Sequence, residues 1–155
     1  MNVFSTAHAA GQNSFHFVWK LKYVFSILIG DVKTQCGEVL EKIAQDYGYV
    51  IHALEVMPDH IHVFLSFKPS ISVSEVFHKL DGLSGKRLFD VFLQLRKRYL
   101  GGHLWSRGKF FRSVGSTTDR AVKHYIEYSQ GSWQHVEPQQ EQFPAGQTQI
   151  TRYLR

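Results

Sequence analysis

The sequence predicts an α+β fold of the ferredoxin-like, split βαβ kind, in the order β-α-β-β-α-β with one further helix after it. Three observations carry that prediction. Residues 14–20 alternate with the period of a strand, and residues 32–47 repeat apolar positions with the period of a helix. Residues 49–56 and 60–67 are two strand-like runs separated only by Met57-Pro58-Asp59. So short a connection makes the two runs an antiparallel hairpin.

In the first strand Phe15, Phe17 and Trp19 fall on one face. Val32, Cys36, Val39, Leu40, Ile43 and Tyr47 recur at steps of three and four, the apolar stripe of a first helix that Gly48 is placed to end. Ser72-Val73-Ser74-Glu75 is a capping box and opens a second helix with Val76, Phe77, Leu80, Leu83 and Leu88 as its buried side. Gly82 and Gly85 either weaken that helix or let another surface come close. Residues 89–106 predict a short helix through Phe92 and Leu95, then a loop at Gly101-Gly102. A fourth strand covers residues 109–114, and after Gly115 the run Ser116-Thr117-Thr118 caps a third helix over residues 119–129. From Trp133 the chain is polar, so one domain over residues 1–132 is expected, with a tail over 133–155 that is mobile or packs on a partner.

At 155 residues, 43% hydrophobic and 20% charged, the chain is long enough to bury a core and too apolar to be disordered. No run approaches the ~20 apolar residues of a membrane span. No basic region precedes an apolar one at the N-terminus, and the single cysteine, Cys36, reads as a buried thiol. These features predict a cytoplasmic protein with no membrane partner.

The net charge of +5 is unevenly placed. Residues 79–112 hold nine Lys/Arg against two Asp/Glu, whereas the rest of the chain carries a slight acidic excess. That basic segment contains Lys86, Arg87, Arg107, Lys109 and Arg112, with Trp105, Phe110 and Phe111 interleaved among the last three. Cations for phosphates beside flat rings for unstacked bases are what single-stranded nucleic acid requires. We therefore take Lys86, Arg87, Trp105, Arg107, Lys109 and Arg112 as candidate DNA contacts, against the alternative of a solvated helix face and strand edge.

The most specific chemistry lies in Pro58-Asp59-His60-Ile61-His62-Val63-Phe64-Leu65. On a strand His60 and His62 project together, while Ile61, Val63 and Leu65 go to the other side. Two neutral imidazoles side by side are a ready pair of metal ligands. Alone, the pattern also fits two half-exposed sheet histidines. Asp59 reads as a turn residue whose carboxylate orients a neighbour, and Glu55 and Glu127 as surface or supporting groups. His8, His16, His52, His78, His103, His124 and His135 show no partner spacing and read as ordinary surface or sheet histidines.

Four separated stretches then resemble one family. They are Ala53-Leu54-Glu55-Val56-Met57-Pro58-Asp59-His60-Ile61-His62, Leu104-Trp105-Ser106-Arg107-Gly108, Ser113-Val114-Gly115 and His124-Tyr125-Ile126-Glu127. Their order and spacing, over roughly residues 14–131, are similar to those of the small TnpA-type transposases of insertion sequences that move as single-stranded DNA. These are single-tyrosine members of the His-hydrophobic-His (HUH) endonucleases. The resemblance implies that His60, His62 and one further polar side chain hold Mg2+ or Mn2+ against the scissile phosphate. It implies Tyr125 as the nucleophile, forming a 5′-phosphotyrosine and freeing a 3′-hydroxyl. The family commonly places a glutamine ligand four residues after its tyrosine. Here Ser129 occupies that position, and Gln130 follows about 140° round an ideal helix from Tyr125. Gln130 and Ser129 therefore stand as alternative third ligands. Tyr128 is the weaker nucleophile, because its own fourth successor is Ser132.

The resemblance further implies a homodimer with joined sheets, in which the Tyr125 helix of one subunit serves the histidines of the other. It also implies recognition of hairpins near the ends of the element. Two other readings remain beside it: a REP-associated transposase, and a non-catalytic ferredoxin-like module that binds nucleic acid. A structural metal site is disfavoured, since two ligands on one strand do not close a tetrahedral shell.

Overall fold

A computed structural model of the chain describes residues 4–5 and 7–114. The expected helix over 119–129, with Tyr125, Ser129 and Gln130, and the polar tail lie outside the described residues. Two short strands, β1 (Phe4–Ser5) and β2 (Ala10–Gly11), form a small antiparallel pair that carries no cue in the sequence. The main elements follow as β3 (Ser14–Leu21), α1 (Gly30–Tyr47), β4 (Val50–Val56), β5 (His60–Ser66), α2 (Val73–Val91), α3 (Leu93–Arg98) and β6 (Trp105–Ser113).

The four long strands make one antiparallel sheet in the order β4-β5-β3-β6. Numbered along the chain this is second-third-first-fourth, the split βαβ arrangement expected from the element order. Both long helices pack on one face. Phe17, Trp19, Leu21, Ile61, Val63 and Leu65 from the sheet meet Val39, Leu40 and Ile43 of α1 and Val76, Phe77 and Leu80 of α2 in a single core. Period-2 alternation in β3 and β5 sends these side chains inward together, and burial of each large apolar side chain stabilises the fold by about 1.5–3 kcal/mol. Cys36 is buried with them, as expected.

Local signals act where the sequence places them. Gly48 ends α1 in the left-handed region at φ 74°, and the Ser72 hydroxyl accepts the Glu75 N–H at 3.1 Å to open α2. The two glycines of α2 differ. Gly85 is buried, and a Cβ there would stand 3.5 Å from the Trp105 ring, so Gly85 is where another surface comes close. Gly82 has nothing within 4 Å of such a Cβ. Gly82→Ala is therefore expected to stabilise the protein by about 1 kcal/mol through helix propensity alone. Urea unfolding checks it: the midpoint should rise at unchanged slope, and a lower midpoint would mean the open space is needed.

Most boundaries fall within two residues of expectation, and one does not. The fourth strand starts at Trp105 rather than 109, because Trp105 pairs with Leu21 across a register shift in β3 that no local pattern announces. Phe92 caps α3 rather than lying inside it. No helix among the described residues is long and apolar enough to cross a membrane.

Candidate metal centre

The turn before β5 is held from two sides. Leu21 N–H donates to the Asp59 carbonyl and Leu28 N–H to that of Pro58, each at 2.9 Å. Met57 N–H also donates to the His60 carbonyl at 2.9 Å, closing the β4–β5 hairpin. Asp59 is thus carried at a fixed point beside the first residue of β5. Its Oδ1 stands 2.6 Å from His60 Nδ1. An ionised carboxylate only accepts, so Nδ1 of His60 carries the hydrogen and its Nε2 keeps the lone pair that could bind a metal.

His62 projects from the same face of β5, and the two Nε2 atoms stand 3.0 Å apart. The pair stands close enough for both nitrogens to reach one divalent cation. Among the described residues no group of three His, Cys, Asp or Glu side chains is arranged to hold a metal. Gln130 and Ser129, the expected further ligands, lie outside the described residues.

His62 has a second partner: its Nδ1 lies 3.1 Å from Nε2 of His16 on β3. In the antiparallel register Val18 faces His62, so His16 reaches it diagonally. His16 is thus no ordinary sheet histidine, contrary to the expectation from its spacing. The register that joins positions 16 and 62 is a tertiary fact, and the only cue in the sequence was that His16 faces away from Phe15 and Phe17. His52 likewise gains a partner, the Ser66 hydroxyl at 2.7 Å. Asp59 orients its neighbour, as read from the sequence.

Burial pushes His62 down to about 3, helped by the neighbouring His16 and His60. Burial and then the Arg112 guanidinium push His16 down to about 4. Both are neutral near pH 7, as metal ligation and its support require. The unfolded chain takes up these two protons near the ordinary histidine value of about 6.5, while the fold resists. Stability of the metal-free protein is therefore full above that pH and falls as pH drops towards the folded values, by about 1.4 kcal/mol per pH unit for each histidine. Urea midpoints in EDTA between pH 7 and pH 5 should show this fall. A flat profile would mean that both rings are protonated within the fold.

The candidate DNA contacts do not form one surface. Trp105 requires correction: it is only 7% exposed, packs edge-on to Trp19 and donates its indole N–H to Ser84 Oγ at 2.9 Å. Its ring is part of the core and is not available for base stacking. Lys109 is half-buried, pairs with Asp81 at 2.5 Å and donates to the Ser106 carbonyl at 2.9 Å. Arg87 lies 3.7 Å from Asp46. Lys86, Arg107 and Arg112 are exposed. Arg112 stands opposite His16 in the β3–β6 register and so shares the histidine face. Lys86 and Arg87 lie on α2, whose layer covers the other face. Lys86 lines a groove of about 490 Å³ with Arg96, Tyr99, His103 and the edge of Trp105.

Comparison with known proteins bears on the family and the fold. Residues 10–129 match the family model described as "Transposase IS200 like". The chain is 33% identical over 116 residues to the ISDra2 transposase TnpA of Deinococcus radiodurans, covering 75% of this chain and 83% of that protein. It is 30% identical over 126 residues to the transposase for insertion sequence element IS200 of Salmonella typhimurium, covering 79% and 83%. A crystal structure of a transposase from Deinococcus radiodurans superposes with a TM-score of 0.68 at 29% identity, over 81% of this chain and 96% of that one. A REP-associated tyrosine transposase bound to a REP hairpin shares the fold, with a TM-score of 0.53 at 17% identity over 86% and 76% of the two chains.

Proposed function

The chain belongs to the IS200-like transposase family, and from that premise we propose that it cuts and rejoins single-stranded DNA at the ends of an insertion sequence through a 5′-phosphotyrosine on Tyr125. The observation that carries this reading is the pair of Nε2 atoms 3.0 Å apart on one strand. His60 and His62 would hold the cation, with Gln130 or Ser129 completing the set. When bound, Mg2+ or Mn2+ supplies charge neutralisation at the phosphoryl oxygens and a pull on the phenol proton. Of the two, Mn2+ binds more tightly, because Mg2+ prefers an all-oxygen shell.

The phenol oxygen of Tyr125 attacks the phosphorus, the P–O3′ bond breaks, and the 3′-hydroxyl leaves with a proton. The phosphate remains esterified to the tyrosine and to the 5′ end. Because bond energy is kept in that ester, a returning 3′-hydroxyl can reseal the strand by the reverse path. Asp59 holds the His60 ring during both steps, and buried, neutral His62 keeps a lone pair available. The catalytic unit is residues 1–132, acting as a homodimer in which the Tyr125 helix serves the partner's histidines. Arg112 on the histidine face, with Arg107 and Lys86, offers phosphate contacts for single-stranded DNA and a hairpin. The fold is that of a protein solved on a REP hairpin, which supports a folded DNA end as the element recognised.

The test is a denaturing gel of purified protein with labelled single-stranded DNA from the flanks of its own gene, with Mn2+, Mg2+ or EDTA. A metal-dependent, label-bearing protein band is expected. Its absence, with a shifted complex retained on a native gel, would replace this reading with that of a non-catalytic binding module.

A further inference from the structure

For an imidazole to bind a cation, the nitrogen facing it must be bare, and the hydrogen bond at the other nitrogen decides which one is bare. His60 has the Asp59 carboxylate for that purpose. For His62, whose Nε2 faces His60, the corresponding atom is Nε2 of His16, 3.1 Å from Nδ1. The His16 and His62 rings lie 5.2 Å apart at 20°, and the residues are only 6% and 9% exposed.

We propose that His16 is the positioning residue of this centre: with a cation bound, its bare Nε2 would accept the Nδ1–H of His62 and so leave the His62 Nε2 lone pair for the cation. The inference rests on the metal-dependent reading above and adds to it the residue that sets the state of one ligand. The reverse bond, with His16 donating, puts the hydrogen on Nε2 of His62, where it bridges to the bare Nε2 of His60 at 3.0 Å and closes the pair to a cation. Water does not replace His16 easily, because both residues are buried within the sheet face and an unmet Nδ1–H there is costly. The centre is then supported symmetrically, by a carboxylate behind one ligand and by an imidazole behind the other.

The experiment has two arms. In the first, long-range 1H–15N spectra of the Mg2+-loaded wild-type protein read the His16 tautomer directly. Hydrogen on Nδ1 of His16 with a bare Nε2 is expected, and hydrogen on its Nε2 overturns the proposal. In the second, titration calorimetry measures Mn2+ binding without DNA, alongside melting curves. His16→Phe keeps a ring of similar size but removes the acceptor, and should weaken Mn2+ binding about 10–100-fold. His16→Gln places an amide oxygen near the Nε2 position and should restore affinity, which a purely packing role would not achieve. Equal Mn2+ affinity in wild type and His16→Phe overturns this inference and leaves the functional reading intact. Failure of the wild-type protein to bind Mn2+ overturns both. Should His16→Phe fail to fold, the spectrum of the wild type still decides.

Discussion

Tyr125→Phe is expected to abolish the covalent protein–DNA band while leaving single-stranded DNA binding near that of the wild type. The substitution removes one oxygen atom, the one that would form the bond to phosphorus, and keeps the ring. No neighbouring group replaces it by simple substitution: Tyr128 lies about 60° away round an ideal helix, and its own fourth successor is Ser132. Water attacking in place of the phenol would release free ends and forfeit the ester that resealing requires. The check is the labelled-DNA gel run beside a native shift. A residual adduct in Tyr125→Phe would move the nucleophile elsewhere, with Tyr128→Phe as the next variant.

Phe77→Ala is expected to lower stability by about 3–5 kcal/mol. Phe77 is one of the side chains through which α2 packs on the sheet. It is 6% exposed, its ring stacks on Phe17 at 4.0 Å and 14°, and it meets Trp19 edge-on at 6.1 Å. Truncation removes the buried ring and leaves a cavity between helix and sheet, where the aromatic neighbours pack too rigidly to close it. Alanine's better helix propensity offsets only about 0.5 kcal/mol of this. Against a total of about 5–15 kcal/mol, the loss brings the protein near its unfolding threshold at 37 °C. Urea unfolding should show a lower midpoint at unchanged slope. A loss below about 1 kcal/mol would mean the helix layer is held mainly elsewhere.

Much of this molecule was legible from residues alone, and the elements show why. β3, β5 and α1 each carry one clean period with a buried face, and Ser72 and Gly48 mark helix ends by local hydrogen bonding and backbone conformation. Signals confined to a few neighbouring residues survive in a sequence. β6 was misplaced by four residues because its first half, Trp105-Ser106-Arg107-Gly108, has no strand alternation and is drawn into the sheet by pairing with Leu21. β1 and β2 are two residues each, too short for any period.

The candidate centre divides along the same line. The pair His60 and His62, their shared face and the orienting role of Asp59 follow from adjacency on one strand, which the sequence alone determines. The basic segment was equally visible as charge, but its fate was not. Only the tertiary structure buried Trp105 against Trp19, tied Lys109 to Asp81 and placed Lys86 and Arg112 on different layers. The same holds for His16, which becomes the partner of His62 through a register between strands 46 residues apart. Periodicity states which face a side chain takes, and charge states what it prefers. Which distant residue meets it depends on register, and register is settled by packing of the whole core.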